Sequence, residues 1–180
     1  MTATASDTRT LPALKSLGRL SEMRPTLKID TREQQPLEFK HLESVRGTLQ
    51  TGDYSFCGGE TMFSVEKKTI AELPGICTTD RERFEREMNR LRGLHFARLL
   101  IVGTRKEVAQ GQYRSNLAPK SILNSLGAWE VRYGVPVVFA PTREQAATLI
   151  ERWAFYSARE ICRSANELLR GGKQAATGGI

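Results

Sequence analysis

The chain has 180 residues, 39% hydrophobic and 26% charged, and its 27 Lys and Arg outnumber 20 Asp and Glu for a net charge of +7. That balance predicts one globular domain with a full core and no membrane partner, and it favours an anionic partner, nucleic acid being the commonest. Three cysteines, Cys57, Cys77 and Cys162, lack CxxC spacing, which argues against a disulfide framework or a zinc site and for a reducing interior such as the cytoplasm.

Residues 1–24 are rich in Thr, Ser and Ala and hold no continuous apolar core, so they read as a flexible N-terminal tail rather than a signal peptide. The folded domain is predicted over 25–170, with 171–180, GGKQAATGGI, as a flexible C-terminal tail. It opens with a short strand, Leu27 to Asp30, that ends in an acidic residue and runs into the polar loop TREQQP. Asp30, Arg32 and Glu33 therefore stand at a strand end facing a loop, where functional groups often sit, although an exposed charged turn would look the same.

Met62 to Thr69 reads as a strand entered from the Gly58-Gly59 turn, with Leu49 to Phe56 as its hairpin partner. Alternation puts Glu66 and Lys68 on one face and Val65 and Lys67 on the other. Gly52 lets the backbone come close to whatever Asp53 binds. Two carboxylates on neighbouring strands can hold a hard divalent cation such as Mg2+, and a lysine beside them can orient water or neutralise charge on a phosphoryl group. On spacing alone, a solvated hairpin face fits equally well.

Thr69 to Glu72 has the form of a capping box, and Pro74 predicts only a short turn before Gly75. A second box, Thr79 to Glu82, starts a helix through Leu91 with Phe84, Met88 and Leu91 as its apolar stripe. Its other faces carry Arg81, Arg83, Arg86 and Arg90, either a solvated basic face or a grip on phosphates. ARLLIVG, 97–103, is a strand buried on both faces, with GVPVVFA, 134–140, as its neighbour. A helix from about Ser121 to Tyr133 lies between them, and a last helix, capped by Thr142, runs towards Ile161. Its Trp153, Phe155 and Tyr156 supply either core or a subunit contact. The order of elements gives an α/β domain with a mixed central β-sheet flanked by helices.

Four ordered blocks, IDTRE at 29–33, GDY at 52–54, VEKKTIAEL at 65–73 and RERFEREMNRL at 81–91, resemble the nuclease domain of the XPF family of structure-specific endonucleases. The family signature is GDx(n)ERKx3D, a variant of the PD-(D/E)xK core, and the resemblance extends over about Leu27 to Ile161. It implies a restriction-endonuclease-like fold and a DNA endonuclease that uses Mg2+ or Mn2+ on branched duplexes such as flaps, forks or recombination intermediates, in repair or recombination. By position, Asp53 and Glu66 match metal ligands, Lys68 the catalytic lysine and Asp30 an upstream acidic residue for a second metal. Arg32, Lys67, Arg81, Arg83 and Arg86 become candidate DNA contacts. Lys67 stands where the family has arginine, and Glu72 where it has aspartate. Family members commonly append a tandem helix-hairpin-helix domain that grips the duplex, so a second copy of the chain or a partner with that module is implied. The location implied is the nucleoid in a prokaryote or phage and the nucleus in a eukaryote. The alternative is a non-catalytic DNA-binding or scaffold subunit, since the family pairs active with degenerate nuclease domains.

Overall fold

A computed structural model describes residues 24–177. The tail expected over 1–24 lies outside the described residues except for Arg24. Residues Arg24–Ala158 form one compact unit that carries the whole sheet and the candidate site. The last helix from Arg159 onwards belongs to a second unit, in which Arg163 pairs with Glu160 and Glu167 along the helix.

Six strands make one sheet: β1 (Leu27–Ile29), β2 (Ser44–Arg46), β3 (Tyr54–Phe56), β4 (Phe63–Thr69), β5 (Phe96–Val102) and β6 (Val137–Ala140). Their order across the sheet is β2-β1-β3-β4-β5-β6. β3 is antiparallel to both β1 and β4, while β4, β5 and β6 run parallel, so the sheet is mixed as the element order predicts. The helices are α1 (Leu73–Cys77), α2 (Arg81–Leu91), α3 (Arg105–Ala109), α4 (Pro119–Tyr133) and α5 (Arg143–Thr177).

The central strand β5, FARLLIV, has no polar residue except Arg98 because both of its faces are covered. Leu99 and Ile101 join the core formed with Leu73, Ile76, Met88 and Trp129 of α1, α2 and α4. Phe84, Met88 and Leu91 form the buried stripe of α2, as their spacing predicts, and Phe84 packs on Trp129 with ring centroids 4.9 Å apart. On the opposite face an aromatic row passes from Phe56 to Phe63, Phe96 and Trp153, tying the hairpin to α5. Trp153 is thus half-buried against Phe96, while Tyr156 is exposed. α4 starts on Pro119 and stops at Gly134, whose φ of 64° breaks the helix in the left-handed region.

Several elements differ from the sequence reading. β2 is fully exposed and three residues long, too short to show a period. α3 is a single capped turn, with Thr104 and Glu107 bonding reciprocally. The box expected at Thr79 does not form: the N-cap of α2 is Asp80, with no side-chain cap bond, and its carboxylate pairs with Arg83 instead. α5 passes Ile161 and is helical through Gly171 to Thr177, a stretch that its glycines suggested was flexible.

Candidate active site

The site sits where β3 and β4 leave their shared hairpin. Pairing of Tyr54 with Val65 sets the register, and one step further along it lies Asp53 beside Glu66. The turn that delivers Asp53 is tightly made. Gly52 has φ 73°, and a Cβ there would collide with the Ser64 hydroxyl. Asp53 donates its N–H to the Val65 carbonyl at 2.9 Å, and its Oδ2 accepts from the Lys67 N–H at 2.8 Å.

Glu66 is only 6% exposed, and its Oε1 accepts from Lys68 Nζ at 2.5 Å. The same-face relation read from alternation therefore holds for this pair. Lys68 also lies over the Phe84 ring at 5.9 Å, which gives α2 a part in placing it. Burial, and next the Glu66 carboxylate, push the Asp53 carboxyl up to about 8. Burial likewise raises Glu66, against the pull of Lys68. Burial draws Lys68 down, but the Glu66 and Asp53 carboxylates outweigh it and hold the ammonium at about 12.

Asp53 Oδ1 and Glu66 Oε2 accept no hydrogen bond among the described residues, where no buried side-chain N or O lacks a partner, so neither oxygen is sealed off: Asp53 lines the larger cleft and Glu66 a small cavity of about 90 Å3 that it shares with Lys68. Hard oxygen donors of this kind suit a divalent cation that needs only one or two protein carboxylates. Among the described residues no group of three or more His, Cys, Asp or Glu is placed to hold a metal ion. The adjoining cleft, about 610 Å3, is lined by Glu33, Asp53, Lys67, Lys68, Glu72 and Arg83 among others.

Asp30, expected to serve a second metal, does not line this cleft. It is 1% exposed, and four N–H groups occupy its carboxylate: the backbone N–H and Nε of Arg32 on Oδ1, and Arg32 Nη2 and the Leu49 N–H on Oδ2. Burial raises Asp30, but the Arg32 bonds outweigh it and hold the carboxyl below its usual range. It is a bracket between loops. Arg32 bonds the same bracket and the Leu49 carbonyl through Nε and Nη2, while its side chain is 70% exposed and lines the cleft.

Lys67, expected to meet DNA, is 4% exposed, with Nζ 2.9 Å from Glu33 and 2.7 Å from the Gln35 carbonyl. It pins the TREQQP loop as a wall of the cleft. Arg81 is also occupied, pairing with Glu85, donating to the Ser125 hydroxyl and lying over Trp129. Arg83 and Arg86 remain outward, with side chains 76% and 66% exposed and only long pairings to Asp80 and Glu82. Glu72 makes its predicted cap, accepting from the Thr69 N–H and hydroxyl at 2.7 Å each, and it also lines the cleft.

Glu33 is the acid that spacing singled out only weakly. Glu87 stands among the arginines of α2, where positions 84, 87, 88 and 91 follow one helical face. An acid on an apolar stripe is the signal that could have found it.

A mixed six-stranded sheet flanked by helices, with an acidic hairpin at one end of a cleft, defines a restriction-endonuclease-like nuclease fold. The ERCC4 domain profile matches residues 29–152, and the chain belongs to that family. Among solved structures it is similar to XPF from Aeropyrum pernix, at 21% identity and a TM-score of 0.60, with 74% of this chain and 61% of that one covered. It is also similar to XPF from Aeropyrum pernix in complex with DNA, at 23% identity and a TM-score of 0.61, covering 76% and 66%. The chain thus spans somewhat less than two thirds of the length of either structure, and at these identities the likeness establishes the fold. No curated protein matches the chain. Among the described residues no helix is long and apolar enough to cross a membrane.

Proposed function

We propose that the chain is a divalent-metal-dependent DNA endonuclease that hydrolyses phosphodiester bonds, with branched duplexes as its substrates in repair or recombination. The buried Asp53 and Glu66 pair beside Lys68, each carboxyl raised, with Asp53 lining the cleft and Glu66 the small cavity beside it, carries this reading. Asp53 and Glu66 would hold Mg2+ or Mn2+, which when bound supplies Lewis acidity and a lowered pKa for bound water. Lys68, kept charged by its acidic neighbours, faces the position of a scissile phosphate and stabilises negative charge developing there. Lys67 and Glu33 fix the cleft wall, and Arg83 and Arg86 hold the DNA backbone. The DNA in the complex of the similar Aeropyrum pernix XPF supports DNA as the ligand class. A second copy, or a partner with a helix-hairpin-helix module, would complete the grip.

The deciding experiment is cleavage of labelled flap, fork and plain duplex DNA with Mg2+, Mn2+ or EDTA, run with Asp53→Ala and Lys68→Ala. The reading expects metal-dependent cutting by the parent and a loss of at least a hundredfold in either variant. Binding without cutting under every metal would instead support a scaffold subunit.

A further inference from the structure

Glu87 has no part in the chemistry above, yet α2 aims it at the turn that carries Asp53. Its Oε1 accepts the Gly52 N–H at 2.8 Å and the Thr51 hydroxyl, and its Oε2 pairs with Arg90 one turn on. From the other side the turn is tied to β4. Ser64 Oγ donates to the Thr51 carbonyl at 2.9 Å, and Asp53 bonds Val65 and Lys67 as described. Because a Cβ at Gly52 would already strike Ser64, there is no slack on the β4 side to make up for a tether lost on the α2 side. Glu87 also lines a small cavity of about 90 Å3 with Glu66, Lys68, Arg83, Phe84 and Ile76, next to the very groups whose spacing matters.

We propose that Glu87 is the positioning residue of this site, acting through the Gly52 N–H and the Thr51 hydroxyl to hold Asp53 beside Glu66 for a divalent cation. The inference rests on the metal-dependent nuclease reading and adds to it a mechanical link. The helix that presents Arg83 and Arg86 to DNA also sets the carboxylate that receives the ion.

The test is Mn2+ binding to the DNA-free protein, followed by electron paramagnetic resonance, together with hydrogen exchange at the Gly52 amide. Glu87→Ala is expected to weaken Mn2+ binding about tenfold or more, the usual effect of losing a group that orients a ligand, and to speed Gly52 exchange. DNA affinity in EDTA should stay at the parent level. Glu87→Gln keeps an oxygen acceptor for both donors and is expected to recover most of the Mn2+ affinity. Thr51→Val removes one donor without touching α2 and is expected to give an intermediate weakening; it stands in where Glu87→Ala fails to fold. Unchanged Mn2+ binding in Glu87→Ala or Thr51→Val overturns the proposal, and so does a Glu87→Gln variant as weak as Glu87→Ala, which would make charge the operative property. A parent that binds no Mn2+ sinks the nuclease reading, and Gly52 exchange, which needs no metal, tells that failure from failure of the tether.

Discussion

Asp53 is the residue on which charge, geometry and pH meet. Its carboxyl moves from an ordinary 3.8 to about 8, so folding takes up a proton there between those values. Because the folded pKa is the higher one, the stabilising contribution is complete below 3.8 and is lost as pH rises through about 8. Chemical denaturation of the metal-free protein should therefore show stability falling across that window, with a flatter profile in Asp53→Asn. Divalent metal has to displace the same proton, so Mn2+ affinity should rise with pH up to about 8 and then level off. The residue before it is just as constrained: Gly52→Ala places a Cβ in the left-handed region and against Ser64, and roughly 2 kcal/mol of stability or more should be lost in a urea titration. The placement of Asp53 and Glu66 was legible in the sequence, because a period of two and a glycine fix where they point. What covers them was not legible. Alternation gives the face of Lys67 but not the TREQQP loop that folds over it, so a buried latch looked like a surface cation.

α2 divides its arginines by what its other neighbours demand. Arg81 faces α4, where Glu85 gathers Arg81, Arg132, Trp129 Nε1 and the Tyr133 hydroxyl. Arg83 and Arg86 face outward. Arg81→Ala should then cost about 1 kcal/mol in denaturant unfolding and leave DNA affinity alone. Arg83→Ala should leave stability alone, weaken DNA binding and reduce the slope of log affinity against log salt by about 0.9, as expected for one lost phosphate contact. The sequence placed this helix and its stripe correctly because the 3.6-residue period is carried by three large apolar side chains. It could not sort the arginines, since partners on α4 lie more than forty positions away and leave no local trace. The same limit hid β2 and α3, which are too short to hold a period and exist because β1 and the Thr104 cap supply their hydrogen bonds.

At the scale of the whole molecule, the sheet keeps its acidic chemistry at one end of a hairpin whose other end is far from it. The β3 and β4 connection, residues 57–62, carries Cys57, exposed and free, while Cys77 and Cys162 are buried. Four residues of extended chain put Cys57 about 13 Å from Asp53. The Phe56, Phe63 and Phe96 row stiffens that end of the two-strand bar. The protein therefore comes with its own attachment point for a thiol-reactive reporter. A fluorophore or nitroxide coupled there would move with the carboxylates without entering their cleft, so metal uptake and DNA arrival could be timed separately on an otherwise unaltered chain.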